Sequence, residues 1–167
     1  MARIRLNSVR NRLEYENARK IIKYLDSEGD RIMKEAYNTK ETLDRSEAQK
    51  NAYGYRVYYN GLKQAEGFLS RTSDKVHKGW DKHSIPPNTG RGYLMDFFNS
   101  YEPSPKGFEL IVVNAVYYTQ ILEDGMQNKL HTKYKIISQI RDEFENLQRV
   151  FNKQGGRTNV RVISPVK

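Results

Sequence analysis

Glu123 and Asp124 form an adjacent carboxylate pair directly behind an apolar run. Two such acids can act as general acid and base or share a Mg²⁺ ion. On a strand, adjacent side chains point to opposite faces, so convergence needs a third group from elsewhere. Without one, the pair simply ends a strand or caps a helix. The three histidines, His77, His83 and His131, are scattered through polar stretches. His77 and His83 sit among lysines, whose charge opposes a bound cation, so they read as exposed loop residues. Asp142, Glu143 and Glu145 fall on the polar side of a helical pattern and read as a solvated face. There is no P-loop motif, no G-x-S-x-G and no H-E-x-x-H, and Gly90-x-Gly92 lacks a third glycine and a preceding strand. Cysteine is absent, which removes thiol catalysis, Cys-ligated zinc and disulfides. These residues predict a protein that is not an enzyme and needs no cofactor and no metal.

The tyrosines pose a sharper question. Tyr53, Tyr55, Tyr58 and Tyr59 crowd one segment, and Tyr117 and Tyr118 another. They could stack nucleic-acid bases beside Arg56 and Lys63. They could form a protein–protein interface, where tyrosine is enriched. They could equally be residues of a half-buried sheet face.

The elements that must carry these residues follow from periodicity. Ala18, Ile21, Ile22, Leu25, Ile32, Met33 and Ala36 recur at spacings of three and four, which predicts a helix over 13–38, with Gly29 bending or ending it. Residues 39–50 are polar and read as a loop with room for a short helix. Tyr53–Tyr59 and Leu62–Leu69 flank Asn60-Gly61, the strongest short hairpin signal. A lone ribbon is marginal, so it must join a larger sheet or a neighbouring chain. Pro86-Pro87 precedes a short helix with Leu94, Phe97, Phe98 and Tyr101 on one face, ended by Pro103 and Pro105. Phe108–Asn114 reads as a strand, and its run Leu110–Val113 predicts cover on both faces. Residues 115–123 continue the apolar run as a strand or a helical turn. Ile137, Ile140, Phe144, Leu147 and Phe151 predict a helix over 132–153, which Gly155-Gly156 ends. Val160, Val162 and Ile163 are expected to form a strand only by adding to another sheet edge.

The 167 residues suit one domain, with 37% hydrophobic and 29% charged residues, a polar balance for a globular chain. Such a chain either has extended segments or completes its burial against neighbours. No run is long and apolar enough to span a membrane, and no secretory signal pattern opens the chain. The net charge is +9. Arg3, Arg5, Arg10 and Arg12 stand in residues 1–12 with no acid, and Lys153, Arg157, Arg161 and Lys167 in residues 153–167 with none. The expected organisation is a basic N-terminal arm over 1–12, a single domain over 13–153, and a basic tail over 154–167. Basic arms suit a phosphate backbone or an acidic protein surface.

The stretch from Gly90 to Gly125 resembles the tail-completion proteins of tailed bacteriophages (neck connector, minor capsid or head–tail joining proteins). The residues that carry the resemblance are Pro87, Thr89, Gly90, Arg91, Leu94, Asn114, Tyr117, Tyr118, Leu122, Glu123 and Gly125. Asp44-Arg45, Tyr53-Gly54-Tyr55 and Asn60-Gly61 are similar to variants of that family. Met126–Lys129 stand where the family often has a glycine- and threonine-rich loop. The resemblance implies an α+β fold: a long N-terminal helix, a small curved antiparallel sheet with a hairpin, a short middle helix and a C-terminal helix on the sheet. It implies a non-enzymatic virion subunit, made in the host cytoplasm, that forms a six- or twelve-fold ring in the neck. Its partners would be further copies of itself, the portal and other neck or tail proteins, with transient contact to DNA in the channel. On that view Arg3, Arg5, Arg10, Arg12, Arg157 and Arg161 dock on neighbours, and the tyrosine ribbon joins an inter-subunit sheet. The rival reading is a nucleic-acid-binding protein using the basic arms and the tyrosine ribbon.

Overall fold

The computed structural model describes residues 2–39, 48–69, 89–115, 145–150 and 158–163. Helix α1 spans Ala2–Thr39 and the short α2 spans Ala48–Asn51. Strands β1 (Tyr53–Tyr59) and β2 (Leu62–Phe68) are followed by α3 (Thr89–Ser100), β3 (Phe108–Asn114) and β4 (Thr158–Ile163). Residues 145–150 are also helical. The class is α+β.

The four strands lie in the order β2-β1-β3-β4. β1 is antiparallel to both β2 and β3, so the hairpin joins a larger sheet of its own chain. β4 pairs parallel with β3, with Leu110 opposite Val160 and Val112 opposite Val162. β2, β1 and β3 form the antiparallel sheet that was expected, and β4 adds to its β3 edge in parallel. The long connection from β3 to β4 permits the parallel pairing. The β-branched Val160, Val162 and Ile163 supply a neighbour for a strand buried on both faces.

α1 is continuous through Gly29. Its 38 residues span about 57 Å. It begins at Ala2. Nothing before Gly29 breaks a helix: the segment has no proline and no glycine. A helix seeded on the core propagates backward through good formers such as Arg and Leu.

The sheet is packed on both faces. Tyr53, Tyr55 and Val57 meet Leu25, Ile32, Met33 and Ala36 of α1, with Leu110, Val112 and Leu147 in the same cluster. Leu94 and Phe98 of α3 meet Val113 and Ala115 on the other side. Alternation along β1 divides the faces, odd residues toward α1 and even residues toward α3. β3 is buried along nearly its whole length, as its apolar run predicts. No helix among the described residues is long and apolar enough to cross a membrane.

Candidate functional site

The sheet's two faces are joined by polar contacts that fix where every neighbouring element sits. On the α1 face, the Tyr55 hydroxyl donates a 2.8 Å hydrogen bond to Asp26 Oδ1. The Tyr55 ring fills the space a side chain would need at Gly29 on α1 and at Gly67 on β2. Burial, and then the Asp26 carboxylate, push the Tyr55 phenol well above its ordinary range. Tyr53 is fully buried and meets Tyr37 edge-on, with ring centroids 5.8 Å apart.

On the α3 face, Arg56 is only 8% exposed. Its Nε donates to Glu66 Oε2 at 2.9 Å and its Nη1 to the Phe98 carbonyl at 3.2 Å. Its guanidinium lies 4.3 Å from the centroid of the Phe98 ring. Glu66 also accepts from Lys63 Nζ at 2.9 Å. The Lys63 hydrogen bond, joined by the Arg56 charge, holds the Glu66 carboxyl below its usual range. Further along, the Glu109 carboxylate is 1% exposed. It accepts from the Tyr101 hydroxyl and the Ser104 amide, both at 2.9 Å. That contact pins the proline-containing turn between α3 and β3.

The hairpin tip is locked to the same turn. Asn60 N donates to the Gly107 carbonyl at 2.8 Å, and Gly107 N donates to Asn60 Oδ1 at 2.9 Å. Asn60 and Gly61 hold φ of 50° and 79°, the left-handed pair a two-residue hairpin needs.

These contacts settle where most of the candidate residues lie. Tyr53, Tyr55 and Tyr58 are buried in the core of this chain. The cause is the full cover of β1, by α1 on one face and α3 on the other. Tyr59 is half-buried and stacks on Phe108 with centroids 4.5 Å apart. Thr89 opens α3 and Gly90 is buried. Arg91 donates to the Leu69 carbonyl at 3.1 Å and lies 4.2 Å from the Phe68 ring centroid. Leu94 packs on Val113, and Asn114 is buried at the end of β3 opposite Tyr53. Arg3, Arg5, Arg10 and Arg12 are positions of α1, and Arg161 a position of β4 opposite Ile111. Tyr117, Tyr118, Glu123, Gly125, Arg157 and the three histidines lie outside the described residues.

Sequence reasoning missed Asp26, Glu66 and Glu109. Nothing local marks them. Each acquires its role from a partner on another strand, helix or turn. Among the described residues, no group of three His, Asp or Glu side chains could hold a metal ion. The chemistry of the α3 face is that of a clamp: Arg56 is held by Glu66, and Glu109 by a hydroxyl and an amide. No family model, no curated protein and no solved structure matches this chain.

Proposed function

We propose that this chain is a structural virion subunit that forms a ring in the neck of a tailed phage, between portal and tail. The observation that carries this reading is the order of elements around Gly90–Asn114. A long helix and a tight hairpin precede a Thr89-Gly90-Arg91 opening to a short helix, whose Leu94 packs on the strand that ends in Asn114. The resemblance to tail-completion proteins implies that order. The clamp-like use of Arg56, Glu66 and Glu109 also favours a scaffold over a catalyst. β2 lies at a sheet edge and leaves Leu62 69% exposed, an apolar side chain at the rim of the molecule. A ring covers such rims by heterologous contacts that close on themselves.

Native mass measurement of the purified chain, alone and with a portal, tests the reading. Six- or twelve-fold species, or a complex with the portal, are the expected result. A strict monomer that ignores any portal overturns it.

A further inference from the structure

Helix α1 is electrically divided. Residues 2–23 carry seven bases (Arg3, Arg5, Arg10, Arg12, Arg19, Lys20, Lys23) against Glu14 and Glu16. Residues 24–39 carry Arg31 and Lys34 against Asp26, Glu28, Asp30 and Glu35. In the second part the two bases are paired with acids, and a net charge of −2 remains. Arg31 bridges Glu28 at 3.0 Å and Glu35 at 2.9 Å, and Lys34 bridges Asp30 at 2.6 Å. Arg19, Lys20 and Lys23 are exposed.

Geometry sets the first part apart. A seven-residue strand is about 23 Å long, whereas α1 is more than twice that. The side chains with which α1 meets the sheet cluster run from Ile21 to Tyr37, and Ala18 is the one buried residue before them among those described. Arg5, Arg12 and Arg19 stand seven residues apart, so their positions fall within about 20° per step along one line of the helix. Lys23 follows four residues on. Tyr15 lies between Arg12 and Arg19 and is 70% exposed. No acid stands in the first turn, so the basic residues reinforce the positive end of the helix dipole.

We infer that the first part of α1 is a nucleic-acid-binding face, in which Arg5, Arg12, Arg19 and Lys23 engage backbone phosphates and Tyr15 offers a stacking surface. Residues 2–23 carry an excess of five positive charges, which an external polyanion complements. An exposed aromatic between arginines, five of the seven bases being arginine, suits phosphate and base better than carboxylate alone. The inference goes beyond ring assembly and does not require it.

The test is fluorescence anisotropy of the full chain with short labelled single-stranded and duplex DNA of mixed sequence, at rising salt. Binding to duplex should weaken about a hundredfold between about 50 and 200 mM salt. The triple variant Arg5→Ala, Arg12→Ala, Arg19→Ala should bind at least about tenfold more weakly at low salt, and its log–log salt slope should fall by about 3. Tyr15→Ala should weaken single-stranded DNA about fivefold or more. The double variant Arg31→Ala, Lys34→Ala should keep the slope, since those bases are already paired. No binding at low salt overturns the inference, as does equal loss in the double variant. Equal affinity for polyglutamate, with no effect of Tyr15→Ala, also overturns it and gives the face to an acidic protein. Mass measurement of the same samples separates the two readings: a wild-type chain that forms rings yet ignores DNA removes this inference alone.

Discussion

Tyr55 and Asp26 are 29 residues apart in the chain and share a 2.8 Å hydrogen bond across the seam between α1 and the sheet. Two glycines, Gly29 on α1 and Gly67 on β2, leave the room that the Tyr55 ring occupies. A side chain, a helix position and a neighbouring strand are thereby fixed against one another.

Gly29→Ala should therefore destabilise the protein. In an open helix the change gains about 1 kcal/mol. Here the added methyl meets the Tyr55 ring, and overpacking costs about 1–3 kcal/mol. Thermal melting should show a lower Tm. In a Tyr55→Leu background the same glycine substitution should lose much of its penalty, which a double-mutant cycle reads directly.

Tyr55 also sets an alkaline limit. Its phenol is raised in the folded state, by burial first and by Asp26 second. Its stabilisation is complete below the unfolded value of about 10 and declines as pH rises beyond it. Denaturant midpoints should fall with a steeper slope above about pH 10 than those of Tyr55→Phe. That variant should be about 1 kcal/mol less stable at neutral pH. Parallel slopes for the two proteins would count against this assignment.

Glu66 works in the opposite direction. Its carboxyl is lowered by the Lys63 hydrogen bond and by Arg56. Its contribution is present above the ordinary carboxylate value of about 4.3 and is lost as pH falls below it. Glu66→Gln should flatten the acid limb of the stability profile. Arg56→Ala removes the Glu66 bridge, the Phe98 carbonyl contact and the Phe98 ring contact together, and should cost about 2–4 kcal/mol by chemical denaturation. Arg56→Lys should recover only part of this, because the ammonium cannot donate in a planar fork.

Asn60→Ala should cost about 1–2 kcal/mol. It deprives the Gly107 amide of its acceptor and places a side chain with no local hydrogen bond at positive φ. Asn60→Gly should cost less, since only the acceptor is lost. Hydrogen exchange at the Gly107 amide is the direct readout, and it should quicken in both variants.

The hairpin was legible because Asn60-Gly61 carries a conformational requirement within two residues. The two-sided burial of β3 was legible because Leu110–Val113 offers no polar face. The core face of α1 and the short α3 followed from spacing alone. The tyrosine ribbon was not legible in this way. A tyrosine-rich strand looks the same whether a helix, a partner or water covers it, and the cover came from α1 and α3, far away in sequence.

Sequence by itself determined the local elements and the basic ends, since these depend on residue type and short spacings. Tertiary structure decided the rest. It covered both faces of β1 with α1 and α3 and set β4 parallel beside β3. It also gave Asp26, Glu66 and Glu109 partners on other elements. The physical reason is that a buried polar group, a strand edge and an unbalanced charge are each satisfied by whatever the fold brings near, and proximity of that kind is not written in neighbouring residues.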